Sequence, residues 1–485
     1  MTSILRTPQR VSTSSARLRQ VVIISVICLA LYCFLLVPDH SLDSSRSTIV
    51  DTFPQSHPHH SNANTNTKSN PAWMSKHPPS LLNNRLLTTS QCAAAFPGLT
   101  HEIALQVSKG PFALTRRPHD LGPLIARIRD NRLYILSYAR KSDLSAEMLQ
   151  HRSATLHQIA AALLTAPVDE PLPDTIFALN HEDDPLSPAL SYSRPADPAF
   201  NNPSKRFFPM PHFSQYSWPS PTIISLPHAS RLITSLESTL PFASKPSLAI
   251  WRGTTHFNHP LSGPLRQNLV SSTHGKPWAD IEPLHANHSN ALPIWDFCRY
   301  RYVIHTEGVT YSGRFQYHQL CASVVLTPPI AWMQHLTHLA KPVFSSELPG
   351  VVRVPPNPGS GSGVGKGAGS SREKLVPYPA SWVKAAWPRS HDPERDANIV
   401  FVAPDWSDLE STIEWLERHP RIAEGIARRQ RELFDGGGYF SAAAETCYWR
   451  ALLRGWSHVV RVDEKAFADL EEIPWEEFSL KEIHK

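Results

Sequence analysis

Five short apolar runs constrain this chain more than any other feature: TIFAL (175–179), SLAIW (247–251), YVIH (302–305), SVVLT (323–327) and NIVFVA (398–403). Short continuous apolar runs of this kind suit strands, and helical stretches between them indicate α/β domains built on parallel sheets. The later runs are separated in that way. GRFQYHQLCA (313–322) precedes a strand, and DLESTIEWLERH (408–419) places Leu409, Ile413 and Leu416 on one face at i, i+4 and i+7. Pro420 breaks that helix. A second helix, with Ile422 and Ile426 four apart, runs to about residue 434, and AAAETCYWRALLRGW (442–456) is a last amphipathic, aromatic one. No repeat with a period of 20 to 50 residues is visible.

With 485 residues the chain exceeds one ordinary domain of roughly 100 to 200 residues, so two core-forming domains are expected. A hydrophobic fraction of 41% and a charged fraction of 18% are those of a globular protein. Proline, at 45 residues, is in excess and implies long loops or low-complexity inserts. The net charge of +5 is mild and the arginines are scattered, which argues against nucleic-acid binding.

At the N-terminus Arg6, Arg10, Arg17 and Arg19 precede an uncharged run from Val21 to Val37. It is just long enough to span a thin bilayer, longer than the core of a usual signal peptide, and no small-residue cleavage site closes it. An uncleaved anchor is therefore expected over a cleaved signal. Positive charge stays cytosolic, so the rest of the chain is expected in the lumen, in type II topology. The C-terminus is not a retrieval signal, which favours the Golgi membrane over the endoplasmic reticulum. Of six cysteines, Cys28 and Cys33 lie in the span; Cys92, Cys298, Cys321 and Cys447 could form two disulfides in any of three pairings, or remain buried thiols. Asn287-His288-Ser289 is an N-glycosylation sequon. Residues 38–80, rich in Ser, Asn, His, Thr and Pro, read as a disordered stalk, and 356–372 as a flexible Gly/Ser insertion. Gly365-Lys366 in that insertion is no phosphate loop, because Ser360 stands at the leading glycine and Gly367 replaces the magnesium-binding hydroxyl.

Three clusters close apolar runs, where open α/β sheets bind ligands. Asn180-His181-Glu182-Asp183-Asp184-Pro185 could hold a divalent metal, supply a general base, or form a solvated turn. Trp251-Arg252-Gly253-Thr254, followed by Arg266, offers close backbone approach and planar donors for a diphosphate, although an arginine there can equally be a structural ion-pair partner. In Glu307 to Arg314 a glycine-rich turn opens a helix whose amides and Arg314 would attract an anion. His335 and His338, at i, i+3 on an expected helix, lack a third metal ligand; His57, His59 and His60 have no framework. Trp415, Trp449 and Trp456 are expected to pack between helices or domains, and Asp408 to cap its helix or meet a donor ribose.

Taken in order, WRGT, RYVIHTEGVTYSGRFQYHQLCASVVL, PDWSDL and EWLERHPRIAEGIARRQRELF resemble glycosyltransferase family 90, the family of fungal capsule-associated xylosyltransferases and Rumi-type protein O-glucosyltransferases. The similarity covers roughly residues 170 to 456 and is strongest over 300–326 and 404–434. It implies a GT-B-like α/β fold of two facing Rossmann-like domains, an acceptor-side domain over 81–245 and a nucleotide-sugar domain over 246–456. A cytosolic tail (1–20), the anchor (21–37) and the stalk precede them, and a tail (457–485) follows. Also implied is inverting transfer of xylose or glucose from a UDP-sugar to a hydroxyl of a glycan or glycoprotein, with no metal or other cofactor. Asp183, within Asn-x-x-Asp-x-Pro, would be the base; Arg252, Gly253, Thr254, Arg266, Gly308, Ser312, Gly313 and Arg314 would face the donor. His181 and Glu182 replace the usual pair before the aspartate, and Thr254 stands where serine is common.

Two other classes compete. A lumenal glycan-binding or scaffold protein could keep the fold without activity, but it would have no need of a base. A glycoside hydrolase needs a second carboxylate that nothing in the sequence marks.

Overall fold

The computed structural model of the chain describes residues 76–116, 123–259, 263–354, 375 and 377–484. The expected cytosolic tail, the anchor 21–37, the stalk up to residue 75 and the insertion 356–372 lie outside the described residues. Among those described, no helix is long and apolar enough to cross a membrane.

In chain order the strands are β1 (Phe112–Leu114), β2 (Leu124–Arg129), β3 (Arg132–Ser137), β4 (Thr175–Leu179), β5 (Ala189–Ser191), β6 (Arg194–Pro195), β7 (Phe207–Pro209) and β8 (Ala249–Gly253). They continue as β9 (Ala279–Pro283), β10 (Tyr302–Ile304), β11 (Val324–Thr327), β12 (Trp332–Met333), β13 (Pro342–Phe344), β14 (Ile399–Phe401), β15 (Val460–Val462) and β16 (Ile473–Pro474). Two six-stranded sheets result.

The second sheet has the order β13-β14-β11-β10-β8-β9, and every neighbouring pair is parallel. Its strands are short and apolar throughout because both faces are covered. Successive side chains of a strand point to opposite faces, and the two cores divide them accordingly. Ala249, Trp251, Tyr302, Ile304, Val324 and Leu326 enter one cluster, whereas Ile250, Val303 and Val325 enter the other. After β8 the chain goes to β9 on one side and then to β10 on the other. The sheet therefore has a topological switch point at the carboxyl ends of β8 and β10, the place where open α/β sheets bind ligands.

In the first sheet, β16-β3-β2-β4-β5-β7, the pairs from β16 to β4 are antiparallel and those from β4 to β7 parallel. Strands β2 and β3 form a hairpin turned by Asp130 and Asn131, both at positive φ (51° and 58°), the backbone that a two-residue turn between twisted strands requires.

Several elements join the sheets. β6 pairs antiparallel with β12, and Ala196 N–H donates to the Ala331 carbonyl at 2.8 Å. The helix Ala442–Val459 packs on the first lobe, where Trp449 Nε1 donates to Gln158 Oε1 (2.9 Å) and Trp456 Nε1 to the Ile176 carbonyl (2.9 Å). Of the three possible cysteine pairings, the structure has Cys92–Cys447 and Cys298–Cys321. The first ties the helix Thr89–Ala95 to Ala442–Val459, and the second spans only 23 residues beside β10 and β11.

Residues 457–485 are not a tail. β15 pairs with β1, β16 completes the edge of the first sheet against β3, and the helix Trp475–His484 follows. The buried Ile473, Trp475 and Phe478 belong to the main core, which is why the segment folds back. The helix expected around His335 and His338 is also not formed. His335 lies between β12 and a single turn, Thr337–Leu339, because that stretch is drawn into the inter-lobe ladder. His335 packs edge-on against Tyr448, while His338 Nε2 lies 2.9 Å from the Gly98 carbonyl, so the two rings serve separate partners.

Candidate active site at the sheet switch point

The first sheet delivers Asp183 through a turn that its own residues lock. Asn180 continues the ladder by donating its backbone N–H to the Leu190 carbonyl (2.8 Å). Its side chain then closes the turn, with Nδ2 donating to the Asp184 carbonyl (2.6 Å) and Oδ1 accepting from Glu182 N–H (3.3 Å). An asparagine used this way imitates a backbone turn. His181 is buried beneath it and held neutral by burial, its pKa lowered to about 4.

Asp183 itself remains exposed. Its carboxylate faces the phenol of Tyr311, and its backbone carbonyl accepts a hydrogen bond from the Thr310 hydroxyl at 2.9 Å. Both residues come from the loop that follows β10 in the other lobe. Desolvation by the surrounding protein raises the Asp183 pKa, the Tyr311 phenol opposes that rise, and Asp184 and Glu147 add to it. A carboxylate made more basic in this way is a better proton acceptor near neutral pH.

The same loop supplies the cationic part. Gly308 N–H donates to the Thr310 carbonyl (2.9 Å), and Arg314 opens the short helix Phe315–His318. The Arg314 guanidinium donates through Nη1 to the Arg252 carbonyl at the end of β8. Arg266, in the first turn of the helix Leu265–Thr273, donates through Nε to the Glu307 carbonyl (3.0 Å) and through Nη1 to the Thr254 carbonyl (2.8 Å). Neither guanidinium forms an ion pair among the described residues. Burial lowers the Arg314 pKa to about 10; burial, then repulsion from Arg314, lowers that of Arg266 to about 9. Two desolvated, mutually repelling cations without a carboxylate are stabilised by an anion placed between their remaining donors.

Glycine is required at two points of close approach. A Cβ on Gly313 would lie 2.6 Å from the ring of His212, and one on Gly253 would lie 2.8 Å from Trp251 and 3.2 Å from Arg314 Nη2. Gly308 is in ordinary contact with Arg266 Nη2, at 3.5 Å from an added Cβ.

The structure thus brings Asp183, Arg266, Gly308 and Arg314 to one junction, with Gly253, Thr254, Ser312 and Gly313 in the backbone around them. Arg252 is placed differently. Its guanidinium turns to β9, donating to the Asp280 carboxylate (2.5 Å), the Asp280 carbonyl (2.7 Å) and the Asn290 carbonyl (3.2 Å). Only its carbonyl meets the cationic group. Asp408 occupies the N-cap position of its helix without a side-chain capping bond: buried, its carboxylate instead accepts from Ser345 Oγ and Ala403 N–H, fastening the ends of β13 and β14 together. Asn287 is exposed on the loop after β9, with Oδ1 accepting from Ser289 N–H at 3.1 Å. No group of three His, Cys, Asp or Glu residues among the described residues is placed to hold a metal ion.

Sequence reasoning missed Tyr311 and Thr310. Their signal was their place between Gly308 and Arg314, but their partner is more than a hundred residues away on another sheet.

Residues 119–345 match the family model described as glycosyl transferase family 90. Every residue of the junction falls inside that span, whereas the stretch 404–434 falls outside it. No curated protein matches the chain.

Proposed function

We propose that the chain is a glycosyltransferase of the family whose model residues 119–345 match, and that it moves xylose or glucose from a UDP-sugar to a hydroxyl of a glycan or glycoprotein, with inversion. One observation carries this reading. A single loop meets Asp183 along its middle and joins Arg266 at its start to Arg314 at its end, a buried and a half-buried cation with no carboxylate partner among the described residues.

In the reaction, Asp183 takes the proton from the acceptor hydroxyl as that oxygen bonds to the anomeric carbon from the face opposite the diphosphate. The bond from the anomeric carbon to the diphosphate oxygen breaks, and its electron pair leaves with the nucleoside diphosphate. Fixed positive charge at Arg266 and Arg314 would lower the barrier, because negative charge grows on the departing diphosphate beside it. Arg252 has no part in this step; its ion pair with Asp280 holds β8 to β9. The charge that a divalent metal would otherwise meet falls to the two arginines, so the reading is metal-independent.

The two sheets are read as the facing domains of a GT-B-like fold, the division falling near residue 245. Two disulfides and the exposed sequon at Asn287 support a lumenal setting. We place the chain in the Golgi membrane, anchored through residues 21–37 in type II topology.

The test is a screen of nucleotide sugars with the full chain in detergent, with and without a chelator. The expected outcome is chelator-resistant turnover of one UDP-sugar. Asp183→Asn should abolish transfer while leaving nucleotide binding within about twofold, and Arg314→Ala should weaken that binding roughly tenfold or more. Equal loss of binding in both variants, or full transfer by Asp183→Asn, overturns the assignment of roles.

A further inference from the structure

Tyr311 has no role in the chemistry described so far, yet its phenol faces the Asp183 carboxylate from the donor-side loop. It is 6% exposed. Its ring lies among Tyr192 (centroids 6.0 Å apart) and His212 (5.7 Å), which fix its direction. His212 is itself fixed from both sides: Nδ1 meets Ser214 Oγ at 2.8 Å, and the ring abuts Gly313 of the same loop. One residue earlier, Thr310 bonds the Asp183 backbone carbonyl. Main chain and side chain of Asp183 therefore both face consecutive residues of a loop rooted in the other sheet. Arg314, three residues further on, is rooted at the end of β8.

From this geometry we infer that Tyr311 is the positioning residue of the proposed base: it aims the Asp183 carboxylate and, through the loop it shares with Arg314, links donor occupancy to the placement of that carboxylate. The inference rests on the reading of Asp183 as base. A rigid loop transmits position because displacing Arg314 toward an anion moves Tyr311 with it. Such a link orders the steps, since the donor grips the loop first and the base then stands in line for the acceptor.

Removing the phenol also has a signed effect on acidity. The groups facing Asp183 are Tyr311 from the loop after β10, Tyr192 beyond β5, Glu147 at the start of the helix Ala146–Leu164, and Asp184 on its own turn. Of these, only the Tyr311 phenol favours the ionised carboxylate; Asp184 and Glu147 favour the protonated form. Without the phenol the carboxyl titrates at higher pH, and a base must be ionised to act.

The experiment compares wild type, Tyr311→Phe, Thr310→Val and Asp183→Asn as full chains in detergent, measuring UDP affinity, kcat, acceptor KM and the pH dependence of kcat/KM for the acceptor. Tyr311→Phe is expected to bind UDP within about twofold of wild type, to lose roughly tenfold or more in kcat, and to move the acid limb of the profile to higher pH. Thr310→Val is expected to lower kcat by a smaller factor, without moving that limb. An unmoved limb and wild-type kcat in Tyr311→Phe overturn the inference while Asp183→Asn remains inactive; activity in Asp183→Asn overturns the underlying reading instead. Should Tyr311→Phe fail to bind UDP, Thr310→Val decides: UDP binding retained with a lowered kcat supports the link, and an unchanged kcat refutes it.

Discussion

In the first lobe Arg194 sits on β6 with 7% of its surface exposed, and Glu102 meets it in a two-point contact, Nε to Oε2 at 2.5 Å and Nη2 to Oε1 at 2.9 Å. In the second lobe Arg266 is buried to the same degree, at 5%, and is given only backbone carbonyls and a second arginine. Glu102 neutralises Arg194, although Arg206 in the same lobe is held by backbone carbonyls alone; in the second lobe Arg266 stands beside a second guanidinium, Arg314, with no carboxylate partner among the described residues. Burying a charge is costly unless it is paired. The first arrangement therefore serves the fold, and the second is the kind of local instability that a bound anion relieves.

That contrast puts the largest stability effect at the Glu102–Arg194 pair and not at the two arginines of the second lobe. Glu102→Gln leaves Arg194 buried without an anion and should cost about 3 to 5 kcal/mol of unfolding free energy, because breaking one side of a buried pair strands the other. Denaturant titration monitored by tryptophan fluorescence would show it as a lower midpoint. Arg266→Met should do the reverse in kind. It removes an uncompensated cation while freeing the carbonyls of Glu307 and Thr254, two effects of opposite sign, so stability should stay within about 1.5 kcal/mol of wild type. Nucleoside diphosphate affinity should nevertheless fall roughly tenfold to a hundredfold by calorimetry. A stable Glu102→Gln beside an unfolded Arg266→Met would make Arg266 a structural residue and end the contrast.

How much of this was legible in the sequence depends on where each signal resides. β4, β8, β10, β11 and β14 were readable because strands covered on both faces are written as unbroken apolar runs. The β2–β3 hairpin was not, since Arg127, Arg129 and Arg132 interrupt its apolar residues and its turn is Asp130-Asn131 without glycine. β6 and β12 are two residues long and owe their existence to each other. At the junction, Arg252, Arg266 and Arg314 look alike as letters beside glycines. Only the position of Asp280 on the neighbouring strand shows that the first is consumed and the other two are not. The cysteine pairing and the Tyr311 contact are likewise facts of tertiary structure, joining residues of distant segments.

Glu307 offers the smallest and most pointed test, because it is the acidic residue nearest in the chain to this junction that could blur the contrast. Arg266 bonds its backbone carbonyl, while its carboxylate turns away and accepts from Ala331 N–H (Oε2, 3.0 Å) and Trp332 N–H (Oε1, 2.9 Å), pinning the loop to β12. A carboxylate that neutralised Arg266 would titrate below its usual range. Burial instead pushes the Glu307 pKa up to about 8, with the two backbone amides opposing the rise. A folded state that holds the proton more tightly than the unfolded chain loses stability as pH rises from about 4.5 to 8, by at most about 1.4 kcal/mol per unit from this one group. Glu445, raised to about 7 by burial, works in the same direction. Buried histidines such as His335 and His181, with lowered pKa values, act oppositely below about 6.5. Between pH 6.5 and 8 the denaturation midpoint should therefore decline, and Glu307→Gln should decline less steeply. Its absolute stability should sit about 1 kcal/mol lower where glutamine replaces one of the two accepting oxygens with a donor, so the slope is the quantity to compare. A steeper decline in Glu307→Gln than in wild type would mean that the native carboxylate gains stability on ionising, and hence that Arg266 has its counter-ion after all.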